Sequence, residues 1–163
     1  MKVSVVIPCF NNEAYVAEAI ESALSQQYRD LEVIVIDDGS TDRSLDIIQA
    51  YNSRIIWQTG PNYGACVARN IGLALASGDF VVFLDADDFL LPGAIARQVY
   101  VSSTCGPDQF VCGRTFRLEE VSGVIVPHGT RDISPSFHLA FNDMMVHAPV
   151  ISAQLWPRLM LHT

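Results

Sequence analysis

The chain has 163 residues, half of them hydrophobic, and a net charge of −8 from 18 acidic and 10 basic residues. This length predicts a single domain that buries roughly two-thirds of its unfolded surface. The acidic balance without a basic stripe argues against nucleic acid as a partner, and Lys2 as the only lysine argues against lysine chemistry.

We expect neither a membrane span nor a signal peptide in this sequence. No apolar stretch reaches the roughly 18–20 residues of a membrane span, and the N-terminal "MKVSVVIPCF" turns polar too early for a signal peptide. We therefore expect a soluble cytoplasmic protein, with association at the inner face of a membrane left open.

The first third of the chain alternates between apolar runs and amphipathic segments. Residues 2–8 predict a buried strand that Pro8 ends, and an amphipathic helix follows with Asn11 or Asn12 as its N-cap. Residues 31–37 predict a second strand. A short helix comes next, with Ser40 or Thr41 as its cap and Asp42 near its positive end.

The alternation continues over the next fifty residues. Residues 54–59 and 79–85 predict the third and fourth strands. The helix predicted between them, over 65–77, should end at Gly78 as its C-cap, and Pro92 can start a further helix. Near-continuous hydrophobic strands alternating with helices are typical of a doubly wound, mostly parallel α/β sheet.

The rhythm changes after about residue 105. Two strands around a glycine-containing turn are predicted there as a short antiparallel hairpin. We expect one domain over residues 1–163, in which 1–105 bind the ligand and 106–163 begin a second, incomplete part. Four cysteines and four histidines lack ligand spacing and are expected to be reduced thiols and ordinary histidines: Cys9, Cys66, Cys105, Cys112, His128, His138, His147 and His162.

Carboxylates follow two of the predicted strands. Asp37 and Asp38 end the second strand, and Asp85, Asp87 and Asp88 follow the fourth. Because ligands of open α/β sheets bind at the carboxyl ends of the strands, both acidic groups should line one crevice. Such an edge can hold a hard divalent cation or accept hydrogen bonds from ribose and nucleobase groups. A nucleoside diphosphate carried on a metal ion meets both demands.

Several rival functions lack their residues. A haloacid-dehalogenase phosphatase or a receiver domain would need a late lysine, and only Lys2 exists. No Gly-x-Gly-x-x-Gly turn or Walker A loop follows the first strand. A nucleotidyltransferase would need a glycine-rich basic loop where "PCFNNEAY" stands.

Three motifs carry a family resemblance. "DDGSTD", "ARNIG" and "LDADD" occur in an order and spacing similar to those of family 2 glycosyltransferases, which have the GT-A fold. The resemblance runs from about residue 2 to 100 and more weakly to about 125. It implies transfer of a sugar from a nucleotide diphosphate donor, most simply a UDP-sugar, to a glycan or lipid-linked acceptor. The reaction would invert the configuration at the anomeric carbon and would serve the synthesis of a polysaccharide or another glycan.

The resemblance also implies roles for individual residues. Pro8 and Phe10 would line the base pocket, Asp38 would accept the N–H of a uracil-type base, and Arg69 would contact the nucleotide. A surface charge, or an ion pair between Arg69 and Asp38 or Asp85, is the alternative for that arginine.

For the acidic turn, the resemblance implies a metal site. Asp87 would ligate Mn²⁺ or Mg²⁺, Asp85 would bind ribose or the metal's shell, and Asp88 is a third acid of less defined role.

The later part of the chain departs from the family pattern. Inverting transferases need a general base, and neither Asp132 nor Asp143 lies in a matching motif. We therefore expect a truncated transferase, or a donor-binding fragment that binds UDP-sugar without turnover. Self-association is expected through five apolar residues near the end, Leu155, Trp156, Leu159, Met160 and Leu161.

Overall fold

The computed structural model describes the backbone of residues 1–104, 115–118, 125–128 and 150–152, and the side chains of residues 1–104. Strands and helices alternate through the first 104 residues, as the sequence predicts. In chain order the elements are β1 (Val3–Cys9), α1 (Val16–Leu24), β2 (Leu31–Asp37), α2 (Ser44–Ala50), β3 (Ile56–Thr59), α3 (Ala65–Leu75), β4 (Phe80–Phe83), α4 (Ala94–Thr104), β5 (Thr115–Leu118), β6 (Ile125–His128) and β7 (Val150–Ser152).

The main sheet has five strands in the order β3-β2-β1-β4-β7. Strands β1 to β4 run parallel, which confirms the predicted parallel sheet. The chain builds outward from β1 through β2 to β3 and then returns to place β4 on the other side of β1. This reversal makes the carboxyl end of β1 a topological switch point, where ligands of open α/β sheets bind.

Helices cover both faces of the sheet. Every residue of β1 is buried, and its alternate side chains point to opposite layers. Val3, Val5, Ile7 and Cys9 share a core cluster with residues of α1, α2 and α4, whereas Val6 faces α3. Gly72 of α3 lies so close to the sheet that a Cβ there would be 2.3 Å from Val6 Cγ1.

The strands after residue 104 are described by backbone alone. β5 and β6 pair antiparallel in a separate two-stranded sheet, and residues 119–124, where the predicted turn falls, lie outside the described residues. β7 pairs antiparallel with β4 and adds an edge strand that is absent from the predicted elements.

The predicted caps of α1 and α2 are wrong. α1 begins five residues after Asn11, and Tyr15 occupies its N-cap position, where its side chain does not cap the helix. Neither Ser40 nor Thr41 caps α2. Asp42 does lie at the start of α2, where its carboxylate accepts the N–H of Ser44 at 2.9 Å.

Gly78 does not cap α3, because the helix already ends at Leu75 and Ala76 continues as extended chain. Glycine is required at position 78 because the backbone there passes close to β1. A Cβ at Gly78 would lie 2.8 Å from the backbone nitrogen of Ser4, and the Gly78 N–H donates to Ser4 Oγ at 2.9 Å.

A polar cluster closes the amino-terminal ends of the strands, opposite the switch point. The Glu32 carboxylate accepts hydrogen bonds from Ser4 Oγ at 2.5 Å and from the Ser77 N–H at 2.7 Å. Lys2 Nζ lies 2.6 Å from Glu32 Oε2. Burial by itself would raise the pKa of Glu32, but the bonds from Lys2, Ser4 and Ser77 outweigh it and lower the pKa to about 2.

Glu32→Gln should therefore lower the free energy of unfolding at neutral pH. A folded pKa of about 2 against an ordinary value of 4.5 sets an upper limit of roughly 3 kcal/mol. This stabilisation is complete above pH 4.5 and is lost as the pH falls towards 2, so wild type and variant should converge there. Urea unfolding between pH 2 and 7 measures it.

Glu18→Gln, at an exposed position in the first turn of α1, is the matched control and should shift stability by less than about 0.5 kcal/mol. A wild-type advantage over Glu32→Gln that stays constant from pH 7 to pH 2 would contradict the pKa assigned to Glu32.

Candidate donor-binding crevice

The carboxyl ends of β1, β2 and β4 lie side by side because these strands are adjacent and parallel. The chain leaves β1 at Phe10, β2 at Asp38 and β4 at Leu84, just before Asp85. The Asp38 N–H donates to the carbonyl of Cys9 at 2.8 Å and extends the pairing of β1 with β2. The predicted convergence of the two acidic groups on one edge therefore follows from the strand order.

The loops after β1 and β2 are bonded to each other. The Asn11 N–H donates to Ser40 Oγ at 3.0 Å, and Asn11 Oδ1 accepts the Thr41 N–H at 2.8 Å. Asn11 has a φ of 52°, a left-handed conformation that asparagine tolerates better than most residues. Its side chain thus holds the rim of the crevice together, in place of the helix cap predicted for it.

Asp38 is buried, with 6% of its surface exposed, and its carboxylate binds the loop that precedes α3. Oδ1 accepts the Tyr63 N–H at 2.9 Å and Oδ2 accepts the Gly64 N–H at 2.8 Å. Gly64 is the N-cap residue of α3, so the charge of Asp38 also lies at the positive end of that helix. We call residues 60–64 the 60–64 loop. The sequence predicted a functional role for this carboxylate but not its hydrogen bonds to that loop.

Asp37 and Gly39 fix the same loop from either side of Asp38. Asp37 Oδ2 accepts the hydroxyl of Thr59 at 2.6 Å, and the Asp37 carbonyl accepts the Gly60 N–H at 3.2 Å. Gly39 has a φ of +76°, and a Cβ there would be 2.8 Å from the backbone nitrogen of Asn62. All three residues of the Asp-Asp-Gly motif thus fix the position of the 60–64 loop, the two acids by hydrogen bonds and the glycine by its close approach.

Arg69 of α3 forms an ion pair with Asp85, with 2.5 Å between Nη2 and Oδ1. The side chains are 12% and 30% exposed, respectively. Of the two ion pairs weighed from the sequence, the structure forms the one with Asp85. Among the described residues, the buried Arg69 Nε has no hydrogen-bond partner, so within that part of the chain the guanidinium keeps one donor unpaired beside the acidic turn.

The rest of the acidic turn faces solvent. The side chains of Asp87 and Asp88 are both exposed, and the Asp88 N–H closes the turn on the carbonyl of Asp85 at 3.0 Å. Although Asp88 is exposed as a residue, its carboxyl group is partly desolvated, and this desolvation together with the charges of Asp87 and Asp85 raises its pKa to about 6. Three carboxyl groups are therefore concentrated in this turn, and within the described residues Arg69 is the one arginine that forms an ion pair with them.

The aromatic and thiol groups at the end of β1 differ in access. Phe10 is 43% exposed, whereas Pro8 is buried, so of the two residues predicted to line the base pocket only Phe10 offers an open face. Cys9 is buried, and desolvation raises the pKa of its thiol to about 11. A neutral buried thiol is a poor nucleophile, which agrees with the structural role expected for Cys9.

Comparison with known proteins assigns this arrangement to a family. Residues 4–147 match the family described as glycosyl transferase family 2. The chain belongs to that family. Its sequence is 38% identical over 104 residues to the Escherichia coli protein named UDP-Glc:alpha-D-GlcNAc-diphosphoundecaprenol beta-1,3-glucosyltransferase WfaP, a match over 63% of this chain and 41% of the relative.

Solved transferases share the GT-A fold of this family 2 member. TarS 1-349 of S. aureus, in complex with UDP-GlcNAc, superposes with a TM-score of 0.53 and 32% identity over 62% of this chain and 30% of TarS. The mannosyltransferase PcManGT of Pyrobaculum calidifontis, in complex with GDP-Man and Mn²⁺, gives 0.55 and 26% over 60% of this chain and 31% of PcManGT.

The chain spans less than half the length of the curated relatives that it matches. None of the helices in the described part of the chain has the length and hydropathy needed to cross a membrane. Both acids considered as a base, Asp132 and Asp143, lie outside the described residues, as do the apolar tail expected to self-associate and the cysteines Cys105 and Cys112.

The carboxylates of the acidic turn fit a hard cation that is bound jointly by the protein and a substrate, rather than one enclosed by protein ligands alone. Within the described residues, no group of three or more acidic, histidine or cysteine side chains could hold a metal ion. Asp87 and Asp85 offer carboxylate oxygens, the ligand type that Mg²⁺ and Mn²⁺ prefer. Such an ion commonly takes one or two protein carboxylates and fills its shell with water and substrate phosphates.

Proposed function

We propose that this crevice binds the nucleotide diphosphate sugar of a metal-dependent, inverting glycosyltransferase. The observation that carries the proposal is the pair of acidic groups on either side of β1, buried Asp38 at the end of β2 and the turn Asp85–Asp88 after β4. The nucleotide-sugar complexes of TarS and PcManGT support it by likeness.

The nucleobase would lie between Phe10 and Asp38. The exposed ring of Phe10 offers a stacking surface for a base. Asp38 gives one hydrogen bond acceptor per oxygen to the 60–64 loop, and a carboxylate has about four lone-pair sites. We propose that a remaining site accepts the imide N–H of uracil, which favours a UDP-sugar.

The diphosphate would lie above the acidic turn. Asp87 would hold Mn²⁺ or Mg²⁺, and Asp85 would contact ribose or the water shell of the ion. The cation, when bound, would stabilise the negative charge that grows on the departing diphosphate. Arg69, which we assign as the partner of Asp85, would hold that carboxylate in a fixed orientation.

Transfer in a single displacement inverts the anomeric carbon. The acceptor hydroxyl would attack that carbon, its bond to the diphosphate oxygen would break, and the hydroxyl proton would pass to a general base. We assign no base among the described residues. The acceptor part is proposed to start after residue 105, within one domain.

The acceptor is proposed to be a glycan or a lipid-linked sugar. The E. coli relative is named for an acceptor on diphosphoundecaprenol, which favours the lipid-linked choice and work at the inner face of a membrane.

Titration calorimetry of the 163-residue chain with UDP, GDP and ADP, each with and without Mn²⁺, tests the proposal. We expect UDP to bind most tightly, and at least about tenfold more tightly with Mn²⁺. Equal affinity for all three nucleotides in the presence and absence of Mn²⁺ would contradict it.

Donor binding without turnover by residues 1–163 remains the second hypothesis. Every contact proposed for the donor falls between residues 8 and 88, which favours a crevice that binds on its own. A product-detected assay over a panel of acceptors decides, and multiple turnover by this chain would exclude the hypothesis.

A further inference from the structure

A buried glutamine connects α1 to the chain that follows the acidic turn. Gln26, at 6% exposure, comes just after α1, and its Nε2 donates to the carbonyl of Leu91 at 3.0 Å and to that of Ser22 at 3.1 Å. The carbonyl of Leu90 lies 3.5 Å from the same nitrogen. One amide group thus joins residues that are more than sixty positions apart.

The other atom of that amide binds the start of α4. Gln26 Oε1 accepts the Ile95 N–H at 3.3 Å. Ile95 is the second residue of α4, where backbone N–H groups lack partners within the helix. Gln26, just after the end of α1, therefore satisfies a backbone group at the buried start of α4.

Ser22 adds a second connection one turn earlier on α1. Its hydroxyl accepts the Leu90 N–H at 3.0 Å and donates to the carbonyl of Ala19 at 2.8 Å. The segment Leu90–Ile95 is thus held at four backbone groups by two side chains of the α1 region. This segment begins two residues after Asp88, so its position restricts the positions that the acidic turn can take.

We propose that Gln26, assisted by Ser22, is a positioning residue for the acidic turn Asp85–Asp88. The inference rests on the proposed function, in which Asp87 holds the divalent ion. The turn is anchored on its β4 side by the Arg69 ion pair and on its α4 side by the Gln26 amide. A carboxylate on an exposed turn needs both anchors, because a displacement of about 1 Å is enough to weaken a metal or catalytic contact.

Gln26→Met tests the proposal, because methionine keeps the length of the side chain and removes all of its hydrogen bonds. Gln27→Met is the matched control, since Gln27 is exposed on the same stretch. Glu32→Gln is the control for stability, because it weakens a polar cluster at the opposite ends of the strands. Ser22→Ala is the milder variant should Gln26→Met fail to fold.

Two readouts on the full chain are needed. The first is the ratio of UDP affinities with and without Mn²⁺, which we expect to fall about tenfold in Gln26→Met and to stay at the wild-type value in Gln27→Met and Glu32→Gln. The second is hydrogen exchange of the backbone amides of residues 85–95 without ligand, which should accelerate in Gln26→Met and, more weakly, in Ser22→Ala.

Exchange at 85–95 that matches Glu32→Gln, together with an unchanged affinity ratio, would overturn the role of Gln26. If wild type binds UDP with the same affinity with and without Mn²⁺, the proposed metal site is contradicted instead. Exchange at 85–88 then decides the positioning role alone, because that readout requires no metal.

Discussion

Asp87→Asn should abolish the strengthening of UDP binding by Mn²⁺. The side chain of Asp87 is exposed and forms no ion pair within residues 1–104, so it is free to take a cation. The amide keeps the shape of the carboxylate and removes its charge, and loss of even a supporting group commonly costs about 10–100-fold in metal affinity. We expect the UDP affinity in Mn²⁺ to fall to the metal-free value of wild type.

Asp46→Asn is the charge-matched control, because Asp46 is an exposed carboxylate in the first turn of α2. It should leave both affinities unchanged, which separates ligation from the loss of one unit of overall charge. Asp87→Asn that still binds UDP more tightly in Mn²⁺, as wild type does, would place the metal elsewhere.

Asp38→Asn should weaken UDP binding by about 1–3 kcal/mol and also destabilise the fold. Both oxygens of Asp38 accept backbone N–H groups, so the NH₂ of asparagine must face one of these donors. The 60–64 loop then loses a bond, α3 loses a negative charge at its positive end, and the proposed acceptor for uracil is compromised. Calorimetry and urea unfolding measure the two effects.

A modified nucleotide separates base recognition from the support of the loop. UDP methylated at N3 of uracil lacks the proposed donor, so wild type should bind it about tenfold more weakly than UDP, and Asp38→Asn should distinguish the two poorly. Thr59→Val loosens the loop at its other end by removing the 2.6 Å bond to Asp37. It should lower stability yet keep the preference for UDP.

Wild type that binds both nucleotides equally would contradict the role of Asp38 in reading the base. Its role would then be limited to the 60–64 loop.

Much of the fold was predictable because buried parallel strands have a distinctive pattern. β2 has the predicted bounds, and β1 differs by one residue at each end, because near-continuous β-branched residues leave little choice of register. The helix caps were not predictable. Asn11 and Ser40 are good caps in isolation, but in the fold they bond across two loops, which depends on the neighbouring strand ends.

The site was predictable as a set of strand-end acids but not as a set of contacts. Strand order alone brings Asp38 and Asp85 to one edge. The partners of these acids come from α3 and the loop before it, over 16 to 26 positions in the chain. Gln26 gave no sequence signal, because a single glutamine after a helix carries no pattern that points to residues 90–95.

Hydrogen exchange of the 163-residue chain with and without UDP and Mn²⁺ tests most directly whether the donor binds at the carboxyl ends of β1, β2 and β4. We predict slower exchange in residues 8–12, 37–41, 60–64 and 85–88 when both ligands are present, and no change near Glu32 at the opposite ends of the strands. Protection confined to those opposite ends, or none at saturating UDP and Mn²⁺, would contradict the assignment of this crevice.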